Sequence, residues 1–194
     1  MTNPYIDSER GLGMLSQITH PSEQSRLVSF YLGQSSDKQG RNINEIHHWD
    51  YNKLEDVHDY IQWLFPLKER SRFNSNAPIL DEKQIEIFRT DVKLRNQLLK
   101  SLGVMLSFYG MECEMKGEDI TISKSEDYDE RKLVWLTYRN HNFLRITRIL
   151  TSLRILGLER YARAYFESLD EIYQEERNII GTVTYGFWKS AVMS

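Results

Sequence analysis

Cysteine is nearly absent: among 194 residues only Cys113 carries a thiol. An internal disulfide is therefore excluded, as is a structural zinc site built on several cysteines. Reducing surroundings are expected, and the cytoplasm is the compartment assigned. Long apolar runs are lacking too, and nothing approaches the roughly 20 residues needed to span a bilayer. The opening MTNPYIDSERGLG has no basic start followed by an apolar stretch, so no secretory signal is read there. Excess charge of one sign is small. Lys and Arg number 25 against 28 Asp and Glu, a net charge of −3, which argues against a surface wholly devoted to nucleic acid. Gly-rich phosphate loops, Gly-x-Ser-x-Gly elbows and internal repeats are also missing.

What remains is helical pattern. Hydrophobic residues at 40% are enough for one core at this length. Residues 1–21, with Pro4, Gly11, Gly13 and Pro21, read as a flexible N-terminal arm, and 22–194 as a single domain. Ser22 caps a helix through Leu32 that Gly33 ends. Ile43, Ile46 and Trp49 suggest one or two turns. Leu54, Val57, His58, Ile61, Leu64 and Phe65 recur at helical spacing, which predicts a helix over about 52–64 that Pro66 stops. Residues 66–80 read as a long irregular loop. Asp81 with Gln84 forms a capping box, a break falls near Asp91, and a long helix runs on to Gly110. MECEM and ITI form a short hairpin over 111–122, with Cys113 on its inner face. Helices over about 127–138, from 140 to Gly157, over 158–174 and over 182–192 complete an all-α, multi-helix bundle with this one small β-hairpin.

Two stretches, HDYIQWLFPLKER at 58–70 and HNFLRITRILTSLRILGLERY at 141–161, resemble the conserved region of the opioid growth factor receptor family. FYLG at 30–33, LLKSLGVMLSFYGM at 98–111 and TYGFWKSAV at 184–192 fall in the family's order, so the resemblance covers about 27–192. It implies receptor-like, non-enzymatic binding. Animal members are described as receptors for the peptide met-enkephalin, restraining growth and lying around the nucleus.

Some polar residues stand out on otherwise apolar segments. His58 and Gln62 are four apart, and His141, Arg145 and Arg148 have spacings of four and three, so each set shares one helix face. Facing each other, the two stripes would enclose a pocket for an anion, because buried arginines need a carboxylate or an anionic ligand. Asp59 is a candidate carboxylate, though it is turned about 100° from the His58–Gln62 line. The plainer alternative is that these groups only satisfy backbone carbonyls. Tyr60, Trp63 and Phe65 read as a groove wall or a wedge in the core. No catalytic residue, metal site or cofactor is assigned. His47 and His48 are adjacent and lack the four-residue spacing of helical zinc ligands. Cys113, between Glu112 and Glu114, reads as a small hydrophobe.

The arginines at 139, 145, 148, 154, 160 and 163 face one acid, Glu159, while 112–130 and 167–176 are acid-rich, so pairing between these blocks is expected. Lys68, Arg70 and Arg72, with Phe73 for stacking, could form a basic patch for nucleic acid. The function expected is a binding module for a peptide, a protein or an anionic small molecule. The alternative is an enzyme or binding protein for a phosphate-bearing or nucleotide ligand, working through the His/Gln/Arg pocket.

Overall fold

The computed structural model describes residues 23–71 and 74–193, and the expected arm, the Ser22 cap, Arg72 and Phe73 lie outside them. Helix starts follow local chemistry. Asn42 accepts from the Glu45 amide to begin α2 (Ile43–His47), after α1 (Glu23–Tyr31). Asp50 does the same for α3 (Tyr51–Asp56). Asp81 and Gln84 complete their capping box at the start of α5 (Glu82–Thr90), and the Asp91 side chain starts α6 (Val92–Tyr109). Each such cap contributes about 1 kcal/mol.

The stop at Gly110 is set by both backbone and packing. Its φ is 73°, and a Cβ there would lie 2.7 Å from the Tyr128 Cα. That close approach lets α7 (Tyr128–Trp135) serve the end of α6. Trp135 donates to the Tyr109 carbonyl at 3.0 Å and Arg131 to that of Phe108 at 2.9 Å. Carbonyls that a helix end leaves orphaned are thereby satisfied.

Between α6 and α7, β1 (Met111–Lys116) and β2 (Asp119–Lys124) pair antiparallel, with Met111 opposite Lys124 and Cys113 opposite Ile122. The hairpin runs slightly longer than its sequence pattern suggests. Only Met111 and Ile122 are buried, so Cys113 is exposed rather than packed inward. The physical reason is that β2 lies along the last helix, whereas most of β1 faces no second layer.

The expected helix over 52–64 is broken. After α3 the chain is extended at Val57 (φ −89°, ψ 129°) and resumes only as α4 (Ile61–Leu64). Helical periodicity persists because both pieces turn Leu54, Ile61 and Leu64 into one core. α8 (Asn142–Ile155) is the central helix, burying Phe143, Ile146, Ile149, Leu150 and Leu153. Each fully buried aliphatic or aromatic side chain contributes about 1.5–3 kcal/mol.

α9 (Glu159–Met193) packs along α8 and is kinked between the two helices expected over 158–174 and 182–192. Glu176 and Gly181 leave helical geometry within it, Gly181 at φ 77° and ψ 153°. Among the described residues this makes nine helices and one two-stranded hairpin. No helix among them is long and apolar enough to cross a membrane.

α2 meets α6 through one titratable contact. Ser101 donates its hydroxyl to the Gln97 carbonyl, so its oxygen accepts from His47 Nε2 at 2.8 Å. Burial pushes His47 down from 6.5 to about 4, with Lys100 and His48 acting in the same direction. The unfolded ring protonates near 6.5 and the folded one only near 4. The contribution of His47 is therefore present above pH 6.5, lost as pH falls toward 4, and unchanged below that. Urea midpoints of the native protein should fall further between about pH 7 and about pH 4.5 than those of His47→Gln. Parallel losses in the two proteins would remove His47 as the cause.

Candidate functional site

The polar stripe of α8 runs along the segment that interrupts the helix pattern. Arg145, only 5% exposed, donates to the carbonyls of Leu54 (2.9 Å), Glu55 (3.2 Å) and Val57 (2.9 Å). A continuing helix would have offered those same oxygens to amides four residues on. Arg145 thus stands in for a missing turn, joined by the Tyr60 hydroxyl, which donates to Leu54 at 3.0 Å. Three residues on, Arg148 donates to the Phe65 carbonyl at 3.0 Å, and four further Ser152 donates to that of Pro66 at 3.0 Å. For Arg145, the plainer reading of the stripe accounts for the hydrogen bonds.

The stripe nevertheless opens on a cleft. His58, Gln62, His141, Arg145 and Arg148 line one cavity of about 410 Å³, with Ile61, Leu67, Leu144, Glu69 and Arg70 among its walls. All five sequence candidates are therefore brought together. The wall opposite α8 is the short α4 and the loop after it, rather than one long helix. Tyr60, Trp63 and Phe65 lie in the core and not in these walls.

Electrostatics divide the five. The Arg145 Nη2 also lies 3.3 Å from His58 Nδ1, and since an arginine N–H only donates, that ring nitrogen is on the accepting side. The His58 and His141 rings meet edge to face at 4.9 Å. Burial lowers the pKa of His141, as do Arg145 and His58, while Glu55 opposes them. His141 Nε2 lies 3.5 Å from Glu55 Oε1, within ion-pair range but without hydrogen-bond geometry.

The carboxylate beside Arg145 and His141 is Glu55, not Asp59. Glu55 accepts from Asn142 at 3.0 Å and lies 3.7 Å from Arg145. Asp59 instead pairs with Arg41 at 2.8 Å, and Arg41 also binds Asp37 at 2.6 Å. The chain turns between Val57 and Tyr60, so the helical wheel that assigned Asp59 its direction does not apply.

Arg148 keeps donor capacity that Arg145 has spent. Its hydrogen-bond acceptor among the described residues is the Phe65 carbonyl, whereas a guanidinium carries five N–H donors. Burial lowers its pKa from 12.5 to about 10, with only Glu69 opposing, so it stays charged at neutral pH. Gln62, 6% exposed, has an enclosed Oε1 without a partner among the described residues.

Arginine pairing elsewhere departs from the expected exchange with the acidic blocks. Arg154 donates to the Ala191 carbonyl and Arg160 to that of Glu118. Lys124–Glu175 does join the hairpin to the acid-rich part of α9. Carbonyls at helix and strand ends were invisible to a count of side-chain charges. No group of three or more His, Cys, Asp or Glu among the described residues is placed to hold a metal.

The family described as the opioid growth factor receptor (OGFr) conserved region matches residues 19–177. The chain belongs to this family. Both halves of the cleft fall inside the OGFr match. The human opioid growth factor receptor is 42% identical over 112 residues, 58% of this chain and 16% of that protein. The opioid growth factor receptor-like protein 1 of Xenopus tropicalis is 40% identical over 151 residues, 76% of this chain and 28% of its own length. The chain thus matches less than a third of either relative. No solved structure matches it.

Proposed function

We propose that this OGFr domain is a non-enzymatic binding module whose cleft takes a short peptide segment and holds its carboxylate on Arg148. The observation carrying this reading is the unused donor capacity of Arg148 beside the unpartnered Gln62 oxygen in one cavity. An anion satisfies the first and a peptide N–H the second once the Gln62 amide turns toward the cleft, while Ile61, Leu67 and Leu144 offer apolar contact. A volume of about 410 Å³ falls in the range of small-ligand sites. The relatives' name, opioid growth factor receptor, supports ligand binding in this family. No reaction is assigned, because Arg145 is occupied by backbone carbonyls.

The test compares a short-peptide library with free C-terminal carboxylates against the same library amidated, on immobilised native protein and on Arg148→Met. Free carboxylates should be retained at least about tenfold better by the native protein, the worth of one charge-assisted contact, and the advantage should vanish in the variant. Equal retention of both libraries would refute the carboxylate reading. The alternative, a phosphate-bearing ligand, rests on the same Arg148 with two histidines alongside. It would show as a rise in unfolding temperature with millimolar phosphate in the native protein and not in Arg148→Met.

A further inference from the structure

A second cavity, of about 370 Å³, lies between α1, the turn at Lys38, Trp63 and residues 75–79. Among the described residues its lining includes three cationic side chains, Arg26, Lys38 and Arg70, and no carboxylate. That is unusual in a chain of net charge −3 whose other cations commonly find acids, as in Arg41 with Asp37 and Asp59, Lys68 with Glu82, and Arg89 with Glu159. Neither Lys38 nor Arg70 has an ion-pair partner among the described residues. Arg26 is held in place by its own contacts. Its Nε donates to the Ser36 carbonyl at 3.2 Å and one terminal nitrogen to that of Asp37 at 3.0 Å, leaving the other terminal nitrogen without an acceptor among the described residues. The guanidinium carbon sits 5.9 Å from the centroid of the Trp63 ring.

A second, independent feature is the indole of Trp63. It contributes to the cavity wall, is 2% exposed, and its Nε1–H is enclosed with no acceptor among the described residues. An orphaned buried donor costs about 1–3 kcal/mol. Three positive charges on the wall of one cavity, beside an indole N–H without an acceptor, ask for an acceptor-only group of high charge. A phosphate monoester, with nearly two negative charges at neutral pH and three acceptor oxygens, matches this better than a carboxylate.

We propose that this second cleft binds a phosphate monoester, its oxygens held by Arg26, Lys38 and Arg70. The site is separate from the Arg148 cleft, although Arg70 lines both. Leu27, Pro78 and Ile79 supply apolar contact for whatever carries the phosphate. That carrier is either a small metabolite ester or a phosphorylated side chain of another protein.

The experiment titrates the whole isotope-labelled chain with O-phosphoserine, and with serine as control, following the Trp63 indole resonance and the amides of residues 75–79. Phosphoserine should shift these signals to saturation and serine should not. Lys38→Glu, in an exposed turn, should weaken binding by about tenfold, since a charge-assisted contact becomes a repulsion. Arg148→Met should leave it unchanged, which separates this site from the peptide cleft. A phosphoserine peptide binding more tightly than the free amino acid would assign the phosphate to a protein partner, and equal affinity would assign it to a small ester. Equal shifts with serine, unaltered affinity in Lys38→Glu, or loss in Arg148→Met would overturn the proposal.

Discussion

Arg145→Met should unfold at a much lower urea concentration than the native protein, with a loss of about 3–5 kcal/mol. Arg145 serves three backbone carbonyls, Leu54, Glu55 and Val57, and meets Asn142 Oδ1 at 3.2 Å and His58 at 3.3 Å. Methionine fills similar space but donates nothing, so buried oxygens lose partners at about 1–3 kcal/mol each, partly recovered by relaxation toward water. Glu55 also loses the cation beside it. Arg145→Lys should recover little, because one ammonium cannot reach carbonyls spread across a planar fork. Arg148→Met is the matched control. Its side chain borders the cleft and serves one carbonyl, so its cost should stay near 1 kcal/mol. Equal midpoints for native protein and Arg145→Met would show that the 54–57 segment holds itself without this residue.

Trp63→Ala should lower the unfolding temperature by about 10 °C, corresponding to about 3–5 kcal/mol in a chain of this size. The ring is 2% exposed and lies 5.2 Å from that of Phe30, while Phe30 contacts Tyr31 and Tyr31 meets Phe88 at 4.7 Å. Tyr31 in turn donates to the Leu64 carbonyl at 2.5 Å, fastening α4 to α1. Alanine would leave a cavity in the middle of this chain of rings, and α4, only four residues long, has little helical stability of its own. Trp63→Phe should cost clearly less, since most of the packing remains and the unpartnered indole N–H is removed. An unfolding temperature unchanged by Trp63→Ala would refute the anchoring role of this aromatic.

Short-range chemistry explains which elements were legible. The Asp81–Gln84 box and the positive φ at Gly110 act within a few residues, so the pattern of letters carries them. The polar stripe of α8 was equally readable, because 141, 145 and 148 lie on one rigid helix. The break at Val57–Tyr60 was not. Its cause is an arginine about 90 residues away that takes the carbonyls a helix would have used. Glu55 went unread as the carboxylate beside Arg145 for the same reason, and Asp59, the candidate named, pairs with Arg41 instead. Cys113 looked inward because alternation predicts a face without saying how far a second layer extends over it.

By itself the sequence determined the helical class, the hairpin, the family and the five side chains that share the cleft. These follow from periodicity, caps and motifs, all of which act over a turn or two of chain. Tertiary structure alone decided how those side chains divide their work. Arg145 lost its donors to backbone oxygens at and just past the end of α3, while Arg148, one turn on, met a single carbonyl and kept charge and donors facing a cavity. Two arginines three residues apart on one helix are equivalent in sequence. They differ because hydrogen-bond demand is set by whatever backbone the fold lays against each, and that backbone comes from residues far away in the chain.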